Sequence, residues 1–390
     1  MKPYRLFIQK KYSIASIKNW CDSQQLTYTK ITTDKTIAIS SPRLFPEDHS
    51  VPAFKTQQAG LPDVYVANLK NVVVIEGSDI VITNNNTALY DEMAYDTEGR
   101  YGSKINKSKL IVSREIKSNQ LGLRYKITQK KLPKIAIHFC KDYSFNYFHW
   151  LLEALPRLWV VDQYPEYDAV PLVVDQLLPQ QLASLSLLNK KNRDIISLKL
   201  GEACQIENLI YPSGLSYAHD NYHSPITHEN DFVISPQAIR YLRDNYAGLM
   251  KTPRPNKKLF ISRTHLGNKR RLVNDEEVGQ FLAKRGFEII HPEHLNFDQQ
   301  VAIFSEASVI IGASGAALAN IVFAPQNCQV FVLSANNQRV NIALFTTIAS
   351  VIHLNLCYIF GQDKIIDPYS QAHNSFFMEM ELLEGALKRC

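Results

Sequence analysis

The spacing of hydrophobic positions changes twice along the chain and divides it into three parts. The first part, roughly residues 1–132, alternates short β-rich runs with turns, as in VYVANLKNVVVIEGSDIVITNNNTALYDE. This segment predicts strands near 64–68, 71–75 and 79–83. Because consecutive strands joined by short turns pair antiparallel, we predict an antiparallel β meander over about 60–130.

Apolar strands and helices alternate in the second part, about residues 133–235. It begins with the strand KIAIHFC and the predicted helix NYFHWLLEALPRL (146–158), followed by the strand AVPLVVD (169–175) and the helix PQQLASLSLLN (179–189). Such alternation predicts a parallel sheet with helical crossovers.

The third part, about residues 236–360, has the most regular alternation. Four apolar runs, KLFISR, FEIIHP, SVIIGA and CQVFVLS, are each followed by a helical pattern. One helix is predicted to begin at Asn274, with Glu277 completing a capping box, and another near Gly315. The series is typical of a doubly wound, Rossmann-like domain.

Two α/β halves joined near residues 235–255 imply two domains that face a cleft. We predict an N-terminal domain over 1–235, a C-terminal Rossmann-like domain over 236–360 and a tail helix in 361–390. Ligands of parallel sheets bind beyond the carboxyl ends of the strands, so both halves can present loops to the cleft.

Composition and charge narrow the function classes. The chain has 390 residues, of which 45% are hydrophobic and 21% charged, as in a folded protein of two or three domains. A net charge of +6 suits an anionic ligand or an acidic membrane surface and is too small for a protein that coats nucleic acid. Six scattered cysteines without a CxxC pair fit a reducing compartment. No apolar run is long enough for a signal peptide or a membrane span, so we expect a cytoplasmic protein, with or without peripheral contact to the inner membrane face.

An anion site is predicted in IIGASGAALANIVF (310–323). The apolar strand ends at Gly312 and a helix begins near Gly315, where free backbone N–H groups and the helix dipole attract an anion. The alternative is a small-residue turn that only allows tight strand–helix packing. The segment is neither a GxGxxG fingerprint nor a Walker loop, which weakens the interpretation that it binds a dinucleotide or ATP.

A basic segment, LFISRTHLGNKRR, follows the first strand of the third part. Arg263 stands directly at the end of that strand, a position suited to bidentate recognition of phosphate. The side chains of Lys269, Arg270 and Arg271 are each explained as readily by a solvated basic loop.

The helix 146–158 combines an apolar face with polar residues at steps of four: His149, Glu153 and Arg157. A histidine and a glutamate one turn apart can act as a base and its orienting partner. The alternative is a pair that only forms a hydrogen bond at a domain boundary. Pro156 interrupts the helix and weakens the alignment of Arg157.

The sequence predicts no metal site. The histidines of HDNYHSPITH and HPEHL have roughly metal-like spacing without the accompanying residues of a known ligand motif, and no DxD motif occurs. Neither a GxSxG elbow nor a cysteine nucleophile motif is present.

Together, NYFHWLLEALPRL, the block from LFISR to IIGASGAALANIVFAP, and the meander LKNVVVIEGSDIVITNNNTALYDE resemble glycosyltransferase family 61. That family includes bacterial capsular-polysaccharide transferases and eukaryotic xylosyl- and N-acetylglucosaminyltransferases. The resemblance covers about residues 60–360. It implies a metal-independent GT-B fold, two Rossmann-like domains facing a cleft, and inverting sugar transfer from a nucleotide sugar, UDP-linked by preference, without a further cofactor. The implied acceptor is an oligosaccharide or lipid-linked glycan, and the implied partners are the inner membrane or other polysaccharide-assembly enzymes, not nucleic acid.

The same resemblance implies roles for individual residues. His149 and Glu153 are the catalytic candidates, without a choice between them as base, and Asn146 and Arg157 lie on the acceptor side. The donor-binding candidates are Arg263, Arg271, Glu293, Gly312, Ser314, Gly315, Ala316 and Asn320.

Two departures from the family pattern affect the donor loop. The family motif reads G-x-H-G-A-G-L-x-N. This chain has Ser314 in place of the histidine and Ala317 in place of the third glycine, and Val332 stands where the family often has an acid. These departures motivate an alternative function, a non-catalytic nucleotide- or sugar-binding subunit of a polysaccharide assembly complex.

Overall fold

A computed structural model describes residues 6–52, 54–91, 110–115, 117–127, 133–218, 232–251, 255–263, 272–365 and 374–389. The chain folds into two compact units. The first contains Met1–Lys35 and Leu61–Ser224, and the second contains Thr36–Gly60 and Pro225–Cys390. The sequence analysis predicts a single domain boundary at residue 235. The observed division differs from it, because the segment 36–60 packs with the second unit.

The strands are numbered in chain order over the described residues. They are β1 (Leu6–Ala15), β2 (Tyr28–Ile31), β3 (Thr36–Ile39), β4 (Arg43–Phe45), β5 (Gln57–Gly60), β6 (Val64–Ile75), β7 (Val81–Ile82), β8 (Thr87–Leu89), β9 (Ile111–Glu115), β10 (Gln120–Ile127), β11 (Ile135–His138), β12 (Leu172–Val174), β13 (Ile195–Ser197), β14 (Glu202–Pro212), β15 (Tyr217–Ala218), β16 (Phe232–Val233), β17 (Lys257–Ile261), β18 (Glu288–Ile290), β19 (Ala307–Ala313), β20 (Gln329–Ala335), β21 (Asn355–Ile365) and β22 (Ser375–Phe377).

The α-helices are α1 (Ile17–Ser23), α2 (Tyr147–His149), α3 (Arg157–Asp162), α4 (Pro179–Leu188), α5 (Pro236–Asn245), α6 (Asp275–Ala283), α7 (Phe297–Ser305), α8 (Ala343–Ile352) and α9 (Met380–Arg389). A π-helical turn spans Trp150–Ala154, and 3₁₀ helices span Pro165–Tyr167, Ala247–Leu249, Pro292–His294 and Ala316–Phe323. Within the described ranges, no helix combines the length and the apolar character that crossing a membrane requires.

In the first unit, one sheet has the strand order β13-β12-β11-β14-β10-β1-β8-β7-β6-β2, with β9 paired to β10. An additional antiparallel pairing of β14 with β6 closes six of these strands into a ring. Buried side chains on these strands, among them Ile14, Ile82, Leu121 and Leu123, form one hydrophobic cluster.

Within the range of the predicted meander, β6, β7 and β8 pair antiparallel in chain order, but β8 then pairs with β1 in parallel. The two strands predicted at 64–68 and 71–75 are one strand, β6. Asn71 has a φ of +52° inside it. Asparagine tolerates this left-handed conformation, so the backbone is distorted there without ending the strand.

The parallel part of the first unit confirms the prediction from the alternating pattern. Strands β13, β12, β11 and β14 are neighbours in that order and all three pairings are parallel. In chain order this is 3-2-1-4, so the connections reverse direction between β11 and β14. Such a topological switch point is where doubly wound sheets leave a crevice beyond the carboxyl ends of their strands.

The second unit contains the doubly wound sheet that the third part of the sequence predicts. Its parallel strands lie in the order β18-β17-β19-β20-β21, which is 2-1-3-4-5 in chain order and places the switch point between β17 and β19. Strand β4 adds to β21 in parallel and β22 adds in antiparallel orientation. The mixed α/β class is therefore confirmed, and β4 explains why residues 36–60 belong to this unit.

One local prediction in the second unit is wrong, and another helix is shorter than predicted. The Asn274 side chain does not cap α6, because it exchanges hydrogen bonds with the backbone of Met378 and also contacts Glu277. The tail helix is confined to α9, because β21 extends to Ile365 and β22 follows at Ser375–Phe377. The helix predicted near Gly315 is present as the 3₁₀ helix Ala316–Phe323.

Candidate functional site

The segment 146–162 in the first unit is helical but not a regular α-helix. The Asn146 side chain caps it by accepting a hydrogen bond from the Phe148 N–H at 3.0 Å. The Leu155 N–H then bonds to the Trp150 carbonyl at 2.9 Å, five residues back, which makes the π-helical turn. Such turns are rare and are often found at functional sites.

His149 and Glu153 are in direct contact, as their spacing predicts. His149 Nδ1 lies 2.6 Å from Glu153 Oε1. The histidine side chain is 15% exposed and the glutamate side chain 2%, so only the histidine reaches the surface to any extent. The ring of Tyr143 lies 5.4 Å from the imidazole, and Tyr143 has a φ of +60°. A bulky residue in this conformation marks backbone strain of the kind that accumulates at functional sites.

Behind this pair lies a buried ion network formed by Glu153, Lys141, Asp79 and Arg157. Lys141 Nζ lies 2.6 Å from Asp79 Oδ2 and 3.6 Å from Glu153 Oε2, and Arg157 Nη1 lies 3.4 Å from Asp79 Oδ1. None of the four side chains is more than 9% exposed. Burying a charge is costly unless an opposite charge compensates it, and here negative and positive groups alternate.

Arg157 does not lie on an exposed acceptor side, where the sequence analysis places it. Its side chain is 1% exposed, and its guanidinium donates to the carbonyls of His138, Cys140 and Pro212. Strand β11 ends at His138 and β14 at Pro212, so the guanidinium fills the switch point of the first unit. The prediction that Arg157 lies on the acceptor side is therefore corrected. Its N–H groups are used by the carbonyls at the strand ends and are not available to an acceptor.

Two further titratable groups lie at the carboxyl ends of these strands. Burial lowers the pKa of His138 well below its usual value, and the neighbouring Arg157 and Lys141 lower it further. Its Nδ1 accepts a hydrogen bond from Arg157 Nη2 at 3.1 Å, which fits a neutral imidazole. Asp175 follows β12 and accepts backbone N–H bonds from Gly77 and Lys141. Burial raises the pKa of Asp175 to about 6.

The sequence patterns did not single out Lys141, Asp175 or Asp79. Lys141 follows the apolar run KIAIHFC, and Asp175 is the last residue of the run AVPLVVD, so the strand-end criterion that selected Arg263 selects both as well. Asp79 is the first residue of the predicted strand 79–83, a position that carries no comparable signal.

In the second unit, Arg263 extends from the end of β17 to the loop after β19. Asp275 at the start of α6 accepts hydrogen bonds from the Ser262 hydroxyl at 2.5 Å and from the Arg263 N–H at 3.1 Å. Arg263 Nη1 donates to the Ser314 carbonyl at 3.0 Å. Strands β17 and β19 flank the switch point, where a ligand is expected. Arg263 and the predicted anion-binding loop, which the sequence indicates separately, therefore lie together at this position.

Two glycines of this loop are required for different reasons. A Cβ atom at Gly315 would lie 2.5 Å from Arg263 Nη1, so a side chain at this position would displace the guanidinium. A Cβ atom at Gly312 would lie 3.0 Å from the Cβ of Ile261 on the neighbouring strand. Tight packing thus explains Gly312, and the approach of Arg263 explains Gly315.

The remaining loop residues divide into a partly exposed and a buried set. Ser314 and Ala316 are partly exposed. The first backbone N–H groups of a helix, here Ala316–Phe323, have no partner within the helix. Asn320 is fully buried and donates to Gln300 Oε1 and the Ala317 carbonyl. Asn320 therefore supports the loop from inside, and its predicted contact with the donor does not fit this burial.

Glu293 lies in the short 3₁₀ helix Pro292–His294 after β18, partly exposed, with Oε1 3.9 Å from His291 Nδ1. Arg271, Lys269, Arg270 and the histidines of HDNYHSPITH lie outside the described residues. Among the side chains that the structure describes, no three His, Cys, Asp or Glu groups converge as metal ligands do.

We expect Gly315→Ala to weaken nucleotide binding at least tenfold without destabilising the protein. The new methyl group meets the flexible end of Arg263, which can move aside but then leaves its position over the loop. Isothermal titration with UDP and thermal unfolding measure the two effects. Gly248→Ala is the matched control, since nothing lies within 4 Å of its Cβ position. Unchanged UDP affinity in Gly315→Ala contradicts a role for the placement of Arg263 over the loop.

The chain was matched to a known protein family over part of its length. No curated protein sequence matches the chain. The sequence model of the family described as Glycosyltransferase 61 matches residues 147–331, from the start of α2 into β20. The match contains the His149–Glu153 pair, Arg263 and the 312–320 loop. Residues 147–331 therefore belong to glycosyltransferase family 61, and the protein is a glycosyltransferase.

Proposed function

We propose that the protein is a metal-independent, inverting glycosyltransferase that moves a sugar from a nucleotide-sugar donor, UDP-linked by preference, to a glycan hydroxyl. The observation that carries this proposal is the contact of Arg263 with the Ser314–Gly315 loop at the switch point of the second unit. A guanidinium next to a helix start combines two groups that bind phosphate. The proposal includes a GT-B arrangement, with the donor on the second unit and the acceptor on the first.

The two switch points support this division of roles. That of the first unit is filled by the guanidinium of Arg157, whose N–H groups satisfy strand-end carbonyls. That of the second unit is bordered by the partly exposed residues Arg263, Ser314 and Ala316. The nucleoside diphosphate of the donor therefore fits the second unit better than the first.

Burial favours His149 over Glu153 as the catalytic base. Both carboxylate oxygens of Glu153 lie next to cationic or N–H groups, one at His149 Nδ1 and one towards Lys141. Glu153 then accepts the Nδ1–H of His149 and fixes the ring, which leaves Nε2 to accept a proton.

The proposed reaction is a single displacement. His149 Nε2 takes the proton of the acceptor hydroxyl as its oxygen attacks the anomeric carbon. The bond from that carbon to the diphosphate oxygen breaks, and the nucleoside diphosphate leaves with the electron pair. Attack from the face opposite to the leaving group inverts the anomeric configuration. Arg263 and the N–H groups at the start of the 3₁₀ helix stabilise the charge on the leaving diphosphate.

Serine at position 314 is compatible with donor binding. A hydroxyl donates a hydrogen bond to phosphate, although it cannot replace a histidine in proton transfer. In this proposal the loop binds the diphosphate and the proton transfer takes place at His149. The family match favours this enzyme over a non-catalytic binding subunit.

The proposed setting is bacterial capsule or other surface polysaccharide synthesis, in the cytoplasm or at the inner membrane face. Cys21, Cys140 and Cys328 are free, buried thiols, which supports a reducing compartment. Oligosaccharides and lipid-linked glycans are the proposed acceptors.

A thermal-shift screen against nucleotides and nucleotide sugars tests the proposal. A ligand that binds only the folded protein raises stability in proportion to ln(1 + [L]/Kd), so the donor and its nucleoside diphosphate should give the largest shifts. Transfer to a panel of glycan acceptors is then measured with that donor, with and without chelator. Shifts no larger for nucleotide sugars than for adenine dinucleotides or inorganic phosphate contradict the donor assignment, and loss of transfer with chelator contradicts metal independence.

A further inference from the structure

We propose that the rings of Tyr143 and Phe145 form a stacking platform for the acceptor glycan beside His149. The proposal rests on the role of His149 as the base and names what this face of the first unit binds. The acceptor sugar lies next to Tyr143, and the sugar linked to it lies on Phe145, so the acceptor is a chain of at least two sugars.

Three neighbouring rings form a row on the first unit. The ring centroid of Phe145 lies 6.3 Å from that of Tyr143, and the centroid of Tyr143 lies 5.4 Å from that of the His149 imidazole. Among the Phe, Tyr and Trp side chains whose burial the structure describes, Phe145 alone is exposed, at 69%. A single exposed apolar side chain is common, but this one extends a row of rings that ends at the proposed base.

The loop that carries the two rings has a defined conformation. The Ser144 N–H donates to the Lys141 carbonyl at 3.2 Å, and the Asn146 N–H donates to the Tyr143 carbonyl at 2.8 Å, so two tight turns overlap. Tyr143 has a φ of +60°, which is unfavourable for a bulky side chain. Glycine or asparagine adopts this backbone more easily, so the turn itself does not explain an aromatic residue here. The place of the ring beside His149 does explain it, since such strain is concentrated at functional sites.

The row of rings suits a linear glycan. One face of a pyranose carries C–H groups that are apolar and weakly positive, and these stack on the negative face of an aromatic ring. The hydroxyl groups at the edge of the sugar remain in water. Aromatic side chains on a fixed loop lose little conformational freedom on binding, which favours affinity. With the acceptor hydroxyl at His149, the chain runs over Tyr143 towards Phe145.

The test measures glycan binding in the full-length protein without a donor. Saturation-transfer NMR titrations use linear trisaccharides of N-acetylglucosamine, glucose, galactose and xylose, and the methyl glycosides of the same sugars. We expect at least one trisaccharide to bind about tenfold more tightly than its methyl glycoside, since one aromatic contact is worth about this factor. Phe145→Ala should abolish the preference, and Phe145→Trp should keep it.

Transfer to the preferred trisaccharide gives a second readout. In Phe145→Ala the loss should appear as a KM for this acceptor about tenfold higher, rather than in kcat. Tyr143→Asn keeps a residue that tolerates the left-handed backbone but removes the ring. Because Tyr143 lies next to the acceptor sugar itself, this variant should weaken binding of the methyl glycoside as well as the trisaccharide.

Two further variants separate stacking from general effects of an apolar side chain. Phe145→Leu keeps apolar surface without a ring and should also lose the preference for the trisaccharide. Leu200→Ala removes an apolar side chain of the same unit that is 84% exposed, and it should leave binding unchanged. The same preference in Phe145→Ala as in the unmodified protein, or no trisaccharide that binds more tightly than its methyl glycoside, overturns the proposal.

A membrane is the other surface that an exposed phenylalanine can contact. If Phe145→Ala weakens binding to phosphatidylglycerol vesicles and not to the trisaccharides, the ring belongs to a membrane-contacting surface and the proposal is overturned.

The outcomes also separate this proposal from the proposed function. If Phe145→Ala loses the preference for the trisaccharide but His149→Asn retains full transfer, the base assignment fails and the platform stands. If His149→Asn loses transfer and Phe145→Ala changes neither glycan binding nor KM, the base assignment stands and the platform fails.

Discussion

Replacing His149 by asparagine should lower kcat for sugar transfer by about 10²–10⁴-fold while nucleotide affinity stays unchanged, since general acid–base catalysis typically contributes a factor of that size. Asparagine is polar and of similar size, but it has no basic nitrogen that can take a proton from a hydroxyl. The loss should therefore be in kcat at saturating donor, because the proposed donor site lies in the second unit and does not include His149.

The measurement is steady-state transfer with the donor found in the thermal-shift screen, together with titration calorimetry of the nucleoside diphosphate. His353→Asn is a matched control, because His353 is exposed and has a φ of +58°, a conformation that asparagine tolerates. Transfer within a few-fold of the unmodified protein in His149→Asn, with loss in Glu153→Gln, would reassign the base to Glu153.

Replacing Arg263 by alanine should have the second large effect, on both binding and turnover. One well-placed donor to a developing oxyanion is typically worth about 3 kcal/mol, which corresponds to about 10² in rate or affinity. Alanine also removes the bond to the Ser314 carbonyl that holds the loop against the end of β17. We expect UDP affinity and kcat/KM to fall by about this factor.

Arg263→Lys distinguishes charge from geometry, because an ammonium keeps the charge but not the planar fork of donors. An intermediate loss in the lysine variant supports bidentate recognition. Arg240→Ala, at an exposed position on α5 in the same unit, is the control for loss of a surface cation. Unchanged UDP affinity in a folded Arg263→Ala protein would contradict the proposal that the donor binds at this switch point.

The donor-side geometry could be predicted because its signals are local in sequence. Arg263 follows an apolar strand directly, and the small residues from Gly312 onward lie between a strand and a helix. Parallel strands bring their carboxyl ends to one edge of a sheet, so two such signals meet once the strands are neighbours. The helical spacing of His149 and Glu153 is equally local.

The network behind His149 could not be predicted in the same way, because it depends on contacts between distant segments. Asp79 comes from a turn after β6, Lys141 from the loop after β11, and Arg157 from α3. Arg157 fills the switch point only because β14 returns beside β11, and the spacing of helical residues does not encode that neighbour. The same reason explains Asn274, whose partner Met378 lies 104 positions away.

The early segment 36–60 has a consequence for the synthesis of the protein. Strand β4 pairs with β21, and the Ser40 N–H bonds to the Ser350 hydroxyl, 310 positions later in the chain. At about 5–20 residues per second, a ribosome takes roughly 15–60 seconds to deliver that partner. Strands β1 and β6, on either side of this segment, belong to the first unit. In a nascent chain, β4 therefore stays without its partner strand until β21 has been translated, long after the strands of the first unit.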